Sequence, residues 1–115
     1  MTPEGRVKEM IKRTLDGLGW KRAGSDNPML VPAWYYMPVS NGMGVHGIPD
    51  FNGIYYGIGF GIEAKPDAKH KPTPNQIDRM QEINDSGGVA RVVYDRTTLQ
   101  SFLNELEDAR GRAFL

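Results

Sequence analysis

The stretch Gly47-Ile48-Pro49-Asp50-Phe51-Asn52-Gly53-Ile54-Tyr55-Tyr56-Gly57-Ile58-Gly59-Phe60-Gly61-Ile62-Glu63-Ala64-Lys65 decides how this chain folds. Its apolar members are aromatic or β-branched and glycines punctuate them, so it reads as two strands joined by a tight turn at Tyr56-Gly57. An antiparallel register that sets Tyr55 against Ile58 also sets Asp50 against Glu63. Directly opposed residues lie roughly 4.5–5.5 Å apart, close enough for both carboxylates to share one cation. Alternation sorts Phe51, Tyr55, Ile58, Phe60 and Ile62 onto one face and Asp50, Asn52, Gly59, Gly61, Glu63 and Lys65 onto the other. A competing turn signal stands at Asn52-Gly53, and a slip of one residue would throw one carboxylate to the wrong side.

Two acids and a lysine on one face suit metal-assisted cleavage of a phosphodiester, which needs converging oxygen ligands and a cation to manage the attacking water. The rest of the chain reads as the mounting for that stretch. Its 115 residues fit one domain, 1–115, with a real core. The 14 basic and 14 acidic side chains cancel, so a nucleic-acid partner has to be argued from local charge, and the balance counts against tight non-specific DNA binding. Without cysteine there is no disulfide scaffold, thiolate zinc site or cysteine nucleophile. No apolar run reaches membrane-spanning length and the N-terminus is a charged amphipathic segment, so an intracellular, cytoplasmic protein with no membrane partner is expected.

Thr2-Pro3-Glu4 has the punctuation of a helix start, Val7, Met10, Ile11, Leu15 and Leu18 recur at helical spacing, and Gly19 ends the run. Glu4 either complements the helix dipole or brings a further acid to the metal. Trp20 to Pro32 reads as a connecting loop. Trp34 to Val39 reads as a first strand that Pro38 keeps from an uninterrupted central position, with Tyr35 or Tyr36 available to touch a substrate. Ser40 to Gly47 is a glycine-rich loop forming the rim of the site, and His46, four residues before Asp50, is either a solvated loop histidine or a contact to the scissile phosphate. After Lys65, the loop bearing Lys69, His70 and Lys71 is either a solvated turn or a local phosphate-binding patch.

Thr73-Pro74-Asn75-Gln76 opens a second helix through Ile77, Met80 and Ile83, which stops at Gly87-Gly88. Gln76 completes a capping box with Thr73, which alone accounts for it, and the helix start also allows it to project toward the site. Val89 to Tyr94 is a fourth strand, parallel to the one before it by a right-handed crossover. Thr98 to Arg110 forms a last helix with Leu99, Phe102, Leu103 and Leu106 as its buried stripe. The tail ending Phe114-Leu115 frays or docks on a second subunit. The order is α-β-β-β-α-β-α, a small mixed β-sheet flanked by helices.

Pro49-Asp50 with Glu63-Ala64-Lys65, after a helix bearing Glu4 and before one bearing Gln76, resembles the PD-(D/E)XK nuclease superfamily with its restriction-endonuclease-like core. Gly-Ile-Pro-Asp, Thr-Pro-x-Gln and Gly-Gly-Val-Ala-Arg-Val-Val look most like the VRR-NUC family in its minimal stand-alone form, over Thr2 to about Tyr94. The resemblance implies a Mg²⁺- or Mn²⁺-dependent endonuclease with no organic cofactor, acting on branched DNA such as Holliday junctions, in a bacterial or phage-infected cell. It implies metal binding by the Asp50 and Glu63 side chains and the Ala64 carbonyl, with Glu4 completing or tuning that shell. Lys65 would orient the water, Gln76 would steady the site, and the chain would pair as a homodimer. The modest basic content departs from what tight binding of long duplex requires. The alternative is a DNA-structure-binding protein that keeps the fold without catalysis.

Overall fold

A computed structural model describes residues 1–39 and 44–113; Ser40, Asn41, Gly42 and Met43 of the rim loop and Phe114 and Leu115 of the tail lie outside the described residues. Helix α1 (Pro3–Gly17) precedes strands β1 (Lys21–Arg22), β2 (Ala33–Tyr36), β3 (Phe51–Tyr55) and β4 (Ile58–Ala64). Helix α2 (Pro74–Asp85), strand β5 (Val89–Val93) and helix α3 (Arg96–Arg112) complete the chain. The five strands form one sheet in the order β1-β2-β3-β4-β5, with β1 parallel to β2, β4 parallel to β5, and the joints between β2, β3 and β4 antiparallel.

The β3–β4 hairpin turns at Tyr56-Gly57, where both residues have positive φ, 47° and 81°, the backbone of a type I′ turn. Its register pairs Phe51 with Ile62 and Tyr55 with Ile58, as the sequence predicts. The competing turn at Asn52-Gly53 does not form. Gly53 lies inside β3, where an added Cβ would fall 2.0 Å from the Trp34 carbonyl oxygen. That glycine admits the neighbouring strand rather than a turn.

One face of the sheet is closed by α1 and α3. Val7, Ile11 and Leu15 of α1 and Leu99, Phe102 and Leu106 of α3 are buried with Tyr35, Phe51, Phe60 and Ile62 from the strands. The Phe60 ring meets Trp20 at 5.3 Å and Phe102 at 5.8 Å between centroids. Each such large apolar side chain stabilises the fold by roughly 1.5–3 kcal/mol when fully buried. The other face is shorter of cover: α2 buries only Met80, lies over β4 and β5, and leaves Ile77 of the expected stripe exposed.

Three sequence expectations change. The loop from Trp20 to Pro32 contains β1, whose two residues are held by the Asn27 side chain, which accepts from the Arg22 amide at 3.1 Å and donates to the Trp20 carbonyl at 2.7 Å. Strand β2 accordingly lies second in the sheet and stops before Pro38. Tyr35 is buried, and its hydroxyl donates to Asp16 at 2.5 Å, so of the two adjacent tyrosines only Tyr36 faces solvent. Among the described residues no helix is long and apolar enough to cross a membrane.

Candidate active site

Asp50 precedes β3 by one residue, and a clamp fixes it there. Gly47, with φ +87°, lies so close to the first turn of α2 that an added Cβ would sit 2.3 Å from the Asn75 carbonyl carbon. Pro49 is buried with its ring over Gly61, where a Cβ would come within 2.8 Å of the proline Cγ. Asn52 donates its side-chain amide to the Pro49 carbonyl at 2.7 Å. Gly47, Gly53 and Gly61 thus serve close approach, and Gly-Ile-Pro-Asp is wedged between sheet and helix.

The Asp50 carboxylate accepts the Ala64 amide at 2.9 Å, which ties it to β4 beside Glu63, the residue that follows Ile62, the partner of Phe51 in the hairpin register. Glu63 is only 3% exposed and its Oε1 is buried without a hydrogen-bond partner. Lys65 is 9% exposed, and its ammonium stands 3.7 Å from Glu63 Oε2. Burial first, then the hydrogen bond and charge of Asp50, push the Glu63 carboxyl up to about 8 against the pull of Lys65. An acid so placed is a strong seat for a proton or a cation, and an orphaned carboxylate oxygen is what a metal ligand looks like without its ion.

Lys8, which sequence reasoning missed, sits one helical turn after Glu4. Its ammonium lies 3.7 Å from Glu4 and 3.4 Å from Asp50. Burial works against the Lys8 charge, but Asp50 and Glu4 outweigh it, and the pKa is raised. Glu4 therefore reaches the acid pair through Lys8. Among the described residues no group of three or more His, Asp or Glu side chains converges as a metal cluster, so the pair Asp50 and Glu63 is the carboxylate core of the site. The i,i+4 spacing of Glu4 and Lys8 was the available signal.

Gln76 is the capping residue its position predicts: its Oε1 accepts the Thr73 amide at 2.9 Å, and Thr73 Oγ1 accepts the Gln76 amide at 3.2 Å. It also lines, with His46, Asp50 and Glu63, a cleft of about 330 Å³. His46 is exposed at the rim, and its carbonyl accepts from Arg79 of α2 at 3.4 Å. Lys69 and Lys71 are exposed in the loop after β4, outside the lining of that cleft. Asp67 accepts the backbone amides of Lys69 and His70 there, and its bond to the His70 ring holds its carboxyl below the usual range.

The donor set is carboxylate oxygen throughout, with Ala64 adjoining, and suits a hard divalent cation such as Mg²⁺ or Mn²⁺. No protein-family model and no curated protein matches the sequence. A solved structure titled "VRR_NUC domain protein" shares the fold: the superposition gives a TM-score of 0.60 over 90% of this chain and 89% of that one, at 18% identity.

Proposed function

We propose that this chain is a divalent-metal-dependent endonuclease of the VRR-NUC kind, which hydrolyses phosphodiester bonds in branched DNA and works as a homodimer. The observation that carries the reading is the pair of facing carboxylates, Asp50 and Glu63, beside the buried ammonium of Lys65. Their setting in a fold shared with a VRR_NUC domain protein supports it.

Asp50 and Glu63 would hold Mg²⁺ or Mn²⁺ together with the Ala64 carbonyl. When bound, such an ion would supply charge stabilisation at the phosphate oxygens and a more acidic water. Lys65 donates to the attacking water and fixes its approach in line with the bond to be broken. Gln76, tied to Thr73, keeps the start of α2 against the cleft, and Glu4 tunes the acid pair through Lys8. His46 meets the scissile phosphate from the rim, while Lys69 and Lys71 contact flanking phosphates.

Lys8 lying across Glu4 and Asp50 is the one feature that also suits a silent DNA-structure-binding protein, because there an internal cation replaces the metal. Labelled four-way junction, flap, single strand and plain duplex, incubated in Mg²⁺, in Mn²⁺ and in EDTA, separate the readings. The nuclease cuts a branched DNA in either metal and nothing in EDTA, and Asp50→Asn lowers the rate by about a thousandfold or more with an unchanged circular dichroism spectrum. Cleavage that survives EDTA or Asp50→Asn contradicts the proposal.

A further inference from the structure

On the face of the sheet that carries Asp50 and Glu63, the strands beyond the reach of α2 leave an open groove of about 620 Å³. Trp34 and Tyr36 form one wall, their rings tilted with centroids 5.6 Å apart, and Ile54 is exposed beside them. Gly59 contributes bare backbone, with no atom within 4 Å of where its Cβ would stand. Arg79 and Glu82 of α2, paired at 2.8 Å, bring charge to a lining that is mostly apolar, with Asn52 and Ser86 as further polar members. Ile48 and Pro49 belong to this groove and to the acid-lined cleft alike, so the two hollows share a wall.

We propose that this groove holds an unpaired nucleobase of the strand being cut, next to the phosphate in the cleft; the assignment rests on the nuclease reading. Exposed aromatic rings beside a backbone channel suit stacking on any base, which needs a π-face and no particular sequence. A base also presents donors and acceptors along its edge, which Arg79 and Glu82 match and a purely apolar partner would not use. Through the shared wall, a strand whose phosphate enters the cleft delivers its neighbouring base to the groove mouth. A second copy seated there would instead cover the exposed Ile48 and narrow the path of the DNA. The substrate class that follows is DNA with an unpaired nucleotide at the cut, such as a flap, a fork or an opened junction, rather than continuous duplex.

The test is binding in Ca²⁺, followed by anisotropy, to two nicked duplexes that each carry one unpaired nucleotide at the nick, one with a base and one abasic. The protein binds the base-bearing DNA about tenfold more tightly, within the range of base–aromatic stacking. Only that DNA quenches tryptophan emission. Trp34 is 37% exposed and Trp20 only 2%, so the quench reports Trp34. Trp34→Ala abolishes the difference and Trp34→Phe, which keeps a ring, retains most of it. Equal affinity for the two DNAs, or discrimination that survives Trp34→Ala, overturns the assignment. A shift from dimer to monomer in sedimentation of Trp34→Ala, with base discrimination intact, overturns it in favour of a self-association surface. Discrimination by a protein that cuts no DNA in Mg²⁺ upholds the groove and removes the nuclease reading alone.

Discussion

Asp50 and Phe51 are neighbours in the chain and point to opposite faces of the same sheet. Phe51 is fully buried beneath helices, in a layer of rings and aliphatic chains. Asp50 opens into a cleft beside Glu63, on a face floored by glycine and left partly bare. The same strands therefore hold the molecule together on one side and gather charge on the other. The charged side tolerates a buried acid with an unpartnered oxygen only because the packed side supplies the stability to hold it there.

Substitutions on the two faces should separate these roles. Phe51→Ala is expected to cost about 3–5 kcal/mol of stability, read as a lower urea midpoint. It leaves the chemistry of the opposite face unchanged wherever the variant remains folded.

The next largest effect concerns pH. Glu63 sits above its ordinary value of 4.5, at about 8, so the folded, metal-free protein binds this proton more tightly than the unfolded chain does. The resulting stabilisation is whole below the unfolded value and is lost as pH rises through the folded one. Thermal midpoints in EDTA should fall from pH 5 to pH 8.5, and Glu63→Gln should flatten that slope. A profile identical in wild type and Glu63→Gln would mean that the acid is not strained by burial.

The smallest expected effect belongs to Lys8. Its ion pairs are partly exposed, so Lys8→Met should tighten Mn²⁺ binding by no more than about fivefold, the scale of a screened pair. Weaker binding would show that Lys8 supports the ion site rather than competes with it.

How much of this was legible in the sequence depended on range. The turn at Tyr56-Gly57 is local chemistry, and once it is fixed, arithmetic places Asp50 against Glu63 and alternation chooses their face. Thr2, Thr73 and Gln76 were equally local. Strand β1 was not, because two residues carry no periodicity and its pairing depends on Asn27 folding back. Alternation requires that one of Tyr35 and Tyr36 be buried, but only the packing of α1 and Asp16 decides which. Lys8 looked like ordinary polar helix surface until the hairpin brought Asp50 beside it. The groove at Trp34 exists because α2 stops short of β2 and β3, which no local pattern reveals.

The central claim, that Asp50 and Glu63 grip one divalent ion, is tested most directly by calorimetric titration of Mn²⁺ into the wild-type protein, Asp50→Asn and Glu63→Gln at pH 7.5. The account predicts a saturable site in the wild type, with proton release from Glu63, and no measurable site in either variant. Undiminished binding by both variants would contradict it.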